Sequence, residues 1–562
     1  MGKDLEARTF EVGLVSDFNL ATFSGYLCND STVPATHATL SGPGPVVPAL
    51  LAPALGDVES PDVLMVWTRP EGVIESFGHA LEFESPGIDD ILGEVDSFAA
   101  ALCTAAQRVP TVLVPSWVTA TVERGLGVLD LAPGGIADTL SQMNRRLAER
   151  TRASENIWLL NTQKWVEAAG PDAFDPRYWY AAKIPFAPAV LKQAVADVKA
   201  ALAGFAGLAR KLVVVDLDDT LWGGVVGDAG WEKLRLGGHD PIGEAFVDFQ
   251  RSLKALQRRG VALGIVSKNE ESVALEALRK HPEMQLRPED FAGWRINWND
   301  KAANLVELVK ELNLGLDSVV FIDDNPAERA RVASALPDVL VPEWPKDRLH
   351  YKRALASLRC FDSPTQSEED ATRAAAYRAE AARRSARESI GSIDAWLESL
   401  ELRVHVEPLE AGNAARAAQL LNKTNQMNLS TRRLTSEELL RWQGEGDRTL
   451  WCFRVVDRFG DAGLTGIASV ELDGEVATLV DFVLSCRVFG RQIERVMVQA
   501  AVAYARERGA QRVEARYRET GKNKPCLDFW LGSGFERAAD QRFCWPAARP
   551  FATPSFIEVT LA

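Results

Sequence analysis

The chain has no run of 18 consecutive apolar residues, so the usual signature of a membrane-spanning helix is missing. Its opening, MGKDLEARTF, carries acids and lacks an apolar core, and a secretory leader is therefore not expected. Cysteine is scarce and unpatterned. The seven (Cys28, Cys103, Cys360, Cys452, Cys486, Cys526 and Cys544) are odd in number, scattered, and without Cys-x-x-Cys spacing. That disfavours a disulfide framework and a zinc site and makes a reducing cytoplasm the expected compartment. Positive charge is in deficit: 63 Lys and Arg stand against 78 Asp and Glu, a formal net charge of −15. A general nucleic-acid binder is excluded on that balance, and nothing points to a membrane partner.

What is present fits several ordinary globular cores. At 562 residues, 46% hydrophobic and 25% charged, the chain is too long for one core. Strand-like runs at Val12–Val15, Val63–Trp67, Thr111–Val114 and Ile157–Leu160 alternate with helical stretches, an α/β pattern with a parallel sheet. A second α/β unit has strands at 212–215, 261–266 and 318–322. Thr365–Ser389, rich in Ala, Arg and Glu, reads as a connecting helix. The last part mixes strands at Leu450–Val456, Gly463–Leu472 and Glu475–Leu484 with a helix near Gly490–Arg508. The expected domains are 1–205, 208–362 and 396–562, with a linker helix over 363–395.

The most informative stretch is KLVVVDLDDTLW, Lys211 to Trp222. A short Val/Leu run is a buried parallel strand, and α/β folds place ligands where such strands end. Asp216 and Asp218 crowd that end, which is costly unless they hold a cation or share a proton. Three more elements follow in order. Ser267 ends the strand VALGIVS, with Lys268 and Asn269 after it. Lys301 opens a helix in NDKAANL, and Asp323-Asp324 ends the strand SVVFI. Phosphoryl transfer needs an in-line nucleophile, charge neutralisation and protonation of the leaving group. Asp216 suits the nucleophile. Asp218, two residues on and on the same face of an extended strand, suits the general acid, with Leu217 turned to the core. Thr220, Ser267, Lys268, Asn269 and Lys301 would bind the phosphoryl oxygens. Mg²⁺ prefers an oxygen shell of a few carboxylates and waters. Asp216, Asp218 through its backbone, and Asp324 would supply it, with Asp323 in support beside Lys301. The intervals between these elements are too short for a large cap domain, although Trp222–Gly237 has room for a small flap.

D, S, K and DD in this order match the four motifs of the haloacid dehalogenase-like (HAD) phosphohydrolases. The segments DLDDTLWGGVVGDAG, SKNEE, HPEM, WRINWNDKAANL, LGLDSVVFIDDNPAER, TNQMNLSTRRL, DRFGDAGLTG and LSCRVFGRQIE further resemble the FkbH-like family over nearly the whole chain. The resemblance implies an SGNH-like first domain, a HAD-like second domain with a minimal cap and a GNAT-like third. It implies D-1,3-bisphosphoglycerate as donor, loss of phosphate, and loading of the glyceryl group onto an acyl carrier protein in polyketide-type metabolism. One departure is Asp219, where the family pattern has Asn; on a strand it would face away from Asp218.

Within the last domain, Arg487-Val-Phe-Gly490-Arg491 resembles the turn at which GNAT-like folds hold a pyrophosphate on backbone amides. Arg491 replaces a small residue there, which favours a carrier-bound phosphopantetheine arm over coenzyme A. Cys486 has two readings: a thiolate relay for the acyl group, favoured by Arg487 and a helix N-terminus, or a small buried hydrophobe. Asp461 and Asn523 are its candidate orienting groups. Asn425, Gln426, Asn428 and Thr431-Arg432-Arg433 form a polar cluster, read either as a capped loop or as a contact with the glyceryl or pantetheine amides. Docking of an acidic carrier needs local positive charge. Candidates are Arg487, Arg491, Arg495, Arg512, Arg516, Arg518, Lys522, Lys524 and the Arg-rich stretch 373–387. In the first domain, VGLVSDFNL puts Phe18 where an SGNH hydrolase has its nucleophile, and no later Asp-x-x-His appears. This domain is expected to be a scaffold, with DPRYWYAAKIPFAP packing at a domain junction. Two readings compete with the bifunctional enzyme: a free-standing Mg²⁺-dependent phosphomonoesterase, and a scaffold with a relic site.

Overall fold

The computed structural model describes residues 9–41, 44–52, 61–119, 124–312, 314–363, 383, 390, 392–424, 426–520, 523–538 and 540–561. The linker-helix expectation at 363–395 falls almost wholly outside them, as do Asn425, Lys522 and nearly all of the 373–387 stretch. Among the described residues, no helix is long and apolar enough to cross a membrane. The chain divides into two compact units: Met1–Leu212 with Leu316–Phe321 and Leu336–Gln366, and Val213–Gly315 with Ile322–Ala335 and Ser367–Ala562.

The first unit is built on five strands: β1 (Thr9–Val15), β2 (Ala35–Leu40), β3 (Val63–Val66), β4 (Thr111–Pro115) and β5 (Ile157–Leu160). All pair in parallel, in the order β2-β1-β3-β4-β5. Alternation along each strand feeds both faces. Leu64 and Val66 pack with the helices Ile88–Ala106 and Ile136–Thr151, whereas Val63 and Met65 pack with Pro188–Phe205. In this strand order the ligand position is the crevice between the ends of β1 and β3. Here it is closed. Phe18 is buried edge-on against Trp67 and Phe186, and Asp17 takes Arg69 Nε at 2.9 Å. The segment DPRYWYAAKIPFAP divides in its role: Ile184 and Phe186 are core, but Tyr178 and Tyr180 are exposed on the helix Pro176–Ala182. The aromatic-packing expectation is thus corrected for those two tyrosines, because that short helix lies at the surface.

A four-stranded sheet follows, with β6 (Leu212–Val215), β7 (Ala262–Ser267), β8 (Gly293–Ile296) and β9 (Val319–Ile322) in the order β8-β7-β6-β9. Every residue of β6, β7 and β9 is buried, as the continuous apolar runs required.

The last sheet contains β10 (Leu402–Pro408), β11 (Met427–Asn428), β12 (Arg448–Asp457), β13 (Gly460–Asp473), β14 (Val476–Leu484), β15 (Arg512–Arg516), β16 (Glu536–Arg537), β17 (Arg542–Pro546) and β18 (Ile557–Leu561). Its order is β16-β17-β15-β14-β13-β12-β10-β18. Pairing is antiparallel except for β14–β15 and β10–β18. β14 and β15 stay paired only as far as Leu479 and Ala515. Beyond that point β11 pairs with β14 at Val483 and Leu484, and Leu429 O accepts from Arg518 N at 3.1 Å. The chain's own segment 427–429 therefore fills the opening between the two parallel strands.

Candidate active site

Asp216 and Asp323 sit just past the strands that deliver them, Ser267 ends its strand and Lys301 opens a helix. β6 ends at Val215, so Asp216 to Asp219 belong to the loop beyond it. Leu217 is fully buried, as expected. Asp219 is not on a strand at all: its φ of 53° is left-handed, a conformation that Asp and Asn tolerate better than most residues. The expectation that strand alternation orients it is corrected accordingly.

Lys301 is the electrostatic centre. It is the first residue of the helix Lys301–Glu311, whose N-cap Asp300 accepts from Ala303 N at 3.1 Å. Its ammonium is buried, 2.6 Å from Asp323 Oδ2 and 3.1 Å from Asp216 Oδ1. Burial works against its charge, but Asp216 and then Asp323 outweigh that and hold its pKa above a free lysine's. Asp323 is pushed up, first by burial and then by Asp216, with Lys301 opposing. Asp216 Oδ1 is buried and, beyond this ion pair, takes no hydrogen bond. Asp216, Asp323 and Asp324 each offer a carboxylate oxygen, and these lie within 4.8 Å of one another.

Asp218 faces a different set of partners. Oδ1 accepts from Trp222 Nε1 at 2.8 Å and Val226 N at 3.1 Å, and Oδ2 accepts from Asn269 Nδ2 at 2.8 Å. Burial raises its pKa against those three bonds, and Asp216 adds to the rise. A carboxyl inclined to hold a proton is suited to give one up to a leaving group. Thr220 Oγ1 accepts from Asp324 N at 3.1 Å, tying the two loops together. Ser267 is buried at the end of β7, where its carbonyl accepts from Asn297 N at 3.1 Å. Lys268 is exposed and pairs with Glu328 at 2.6 Å.

Two parts of the site were not singled out from sequence. Arg329 donates to the carbonyls of Asp323 and Asp324 at 2.7 and 2.8 Å and fixes the second acidic loop. Asn297 Oδ1 accepts from Asn299 N at 2.9 Å and Asn304 Nδ2 at 2.8 Å, bracing the loop before Lys301. An Asn three residues before a helix cap is the signal for the second; nothing local marks the first.

The expected flap is present. Gly223 and Arg235 close it through a backbone pair at 3.0 and 2.9 Å, around a short helix Val226–Ala229 and a 3-10 turn Trp231–Lys233. Trp231 meets buried His281 edge-on at 6.4 Å between ring centres. Burial depresses the His281 pKa. The unfolded chain therefore takes the proton more readily, so stability contributed by neutral His281 is full above about pH 6.5 and declines as pH falls below it. Urea unfolding followed from pH 8 to pH 5 is expected to reveal that decline, and His281→Gln to flatten it.

In the last sheet several of the singled-out polar residues are spent on the protein itself. Asn428 and Asn523 are fully buried. Asn523 Oδ1 accepts from Tyr517 Oη at 2.6 Å and Thr520 N at 2.8 Å, while Nδ2 donates to the carbonyls of Asn428 and Arg518. Asn428 accepts from Thr431 N at 2.8 Å and donates to Thr424 O at 3.0 Å. Arg432 pairs with buried Asp481, which also accepts from Ser430 Oγ and Ser469 Oγ. Asp461 pairs with Arg454. Arg491 is buried against Asp457 at 3.1 Å and donates to the Arg487 carbonyl at 2.5 Å. Cys486 opens a 3-10 turn, Cys486–Val488, just after β14. Its side chain lies outside the described residues, as does Asn425.

A structure of the N-terminal part of the protein BF1531 from Bacteroides fragilis, containing a phosphatase domain and complexed with Mg, is similar to 64% of this chain. The similarity covers 96% of that chain, at 26% identity and a TM-score of 0.58. The ribosomal-protein-S18-alanine N-acetyltransferase from Escherichia coli matches 27% of this chain and 97% of its own, at 14% identity and a TM-score of 0.20. An acetyltransferase of the GNAT family from Staphylococcus aureus Mu50 matches 26% and 99%, at 8% identity and a TM-score of 0.21. No protein-family model matches the chain, and neither does any curated protein. The chain is a mixed α/β protein, and its larger part shares the fold of a structure that contains a phosphatase domain.

Proposed function

We propose that this protein is a HAD-type phosphatase that works on a phosphate monoester through Asp216. The observation that carries this reading is the buried, hydrogen-bond-poor Asp216 carboxylate beside Lys301, Asp323 and Asp324. A carboxylate oxygen left without a hydrogen bond among other acids fits a hard cation, and Asp216, Asp324 and Asp323 would hold Mg²⁺. When bound, the ion supplies neutralisation of phosphoryl charge. The chain's own residues supply the rest. Asp216 attacks phosphorus, and the bond from phosphorus to the leaving oxygen breaks as Asp218 gives that oxygen its proton. Asp218 then takes a proton from water, whose oxygen displaces Asp216 and releases inorganic phosphate. Lys301, 3.1 Å from Asp216 Oδ1, holds that carboxylate in place for the attack.

The finer reading rests on the FkbH-like resemblance. A thiolate, Cys486 in this reading, attacks the C1 carbonyl of 1,3-bisphosphoglycerate, forming a thioester and expelling the C1 phosphate. The C3 phosphate is removed at Asp216, and the glyceryl group passes to the phosphopantetheine thiol of an acyl carrier protein in the cytoplasm. The three-domain division at 1–205, 208–362 and 396–562 belongs to this proposal. With Mg²⁺, donor and holo-carrier, the carrier should gain a glyceryl mass, and Cys486→Ala should prevent it. Phosphate release without any gain in carrier mass would sink the transfer half. That outcome would favour the free-standing phosphomonoesterase, which the internal commitments of Asn428, Arg432, Arg491 and Asn523 already support.

A further inference from the structure

Large hydrophobic side chains in the segments around this site are mostly buried or half-buried. Among the described residues of 213–335, three are exposed: Val225 at 45%, Trp298 at 72% and Val306 at 41%. Val306 lies within the helix Lys301–Glu311, five residues beyond the lysine. The other two border the site. Val225 opens the flap immediately before Val226, whose amide donates to Asp218 Oδ1. Trp298 follows Asn297, whose amide donates to the Ser267 carbonyl, and stands three residues before Lys301.

Neither exposure comes from a loose loop. The Trp298 loop is pinned through Asn297 to Asn299 and Asn304, and Asp300 both caps the following helix and pairs with Arg331 at 3.1 Å. Val225 lies between Gly224, whose amide reaches Asp219 Oδ1 at 3.4 Å, and the helix Val226–Ala229. A braced loop that holds an indole in water forgoes apolar burial unless another molecule covers the ring.

We propose that Trp298 and Val225 form an apolar rim that selects phosphate monoesters whose alcohol portion carries an apolar or aromatic segment. The phosphate meets the Asp216 carboxylate beside Lys301 while that segment lies against the indole and the valine. This rests on the phosphatase reading and narrows it. A free glyceryl phosphate offers the rim nothing apolar, so a glyceryl substrate meets it only when attached to a larger arm.

The test compares kcat/KM for 1-naphthyl phosphate with kcat/KM for glycerol 3-phosphate in the full chain. In Trp298→Ala the ratio of the two should fall roughly tenfold or more, carried by KM rather than kcat. Val225→Ser should lower the ratio about fourfold, in keeping with one or two buried methyl groups. Trp298→Phe should keep most of the preference. Both side chains are exposed, so the fold does not depend on them. A ratio unchanged within twofold in Trp298→Ala overturns the rim and leaves the phosphatase reading standing. No phosphate release from either compound by the unaltered protein overturns both.

Discussion

Asp216→Asn is expected to lower phosphate release by at least about 10³-fold while leaving the fold intact. Asparagine keeps the shape of the side chain but removes the nucleophilic charge. Lys301 retains Asp323 at 2.6 Å, so the buried ammonium is not orphaned. The substitution also relieves Asp323 of a neighbouring charge that raises its pKa, so thermal stability should not suffer. Phosphate release by malachite green and melting by circular dichroism, measured on one preparation, separate the two effects. Activity within tenfold of the unaltered protein would remove Asp216 from the nucleophile's role.

Lys301→Met is expected to cost about 3–5 kcal/mol of stability in metal-free buffer, because it leaves two buried carboxylates uncompensated. Both partners are well buried: the Asp323 side chain is 0% exposed and that of Asp216 is 9% exposed. Urea unfolding with a chelator present measures the loss. Acidification should narrow it. Asp323, with its raised pKa, takes a proton as pH falls, and a neutral carboxyl no longer needs the ammonium. Added Mg²⁺ should restore part of the stability by supplying the missing positive charge. A variant as stable as the parent under both conditions would remove Lys301 from this charge-compensating role.

The middle of the chain was legible because strand ends write themselves into sequence. A Val/Leu run fixes the strand, the first polar residue after it marks the exit, and parallel strands bring those exits together. Asp216, Ser267 and Asp323 were singled out that way, and Lys301 as the residue that opens a helix. Asn269 was found as well, but as a presumed ligand of phosphate; its amide is given to Asp218. Arg329 was not found, since its partners are main-chain carbonyls, which have no residue signature. The last sheet is harder to read. Polar residues that bind a ligand and polar residues that fill an internal opening have the same composition. Asn428, Asn523 and Arg432 resembled recognition groups, yet they brace the segment between β14 and β15. Tyr180 illustrates the same ambiguity for aromatics, because one amphipathic ring serves equally in a core or at a surface.

The flap and the proton donor are mechanically one device. Two of the three hydrogen bonds on Asp218 come from Trp222, where the flap departs, and from Val226, inside it. Any motion that lifts the flap breaks at least the Val226 bond, and with it part of what favours the anion. The carboxyl is then better disposed to pick up a proton while solvent can still reach it. Closure would return the two donors to an oxygen that has either kept its proton or just passed it on. On the proposed mechanism, two hydrogen bonds that tune Asp218 come from the segment beside it, so access and proton supply depend on the same contacts.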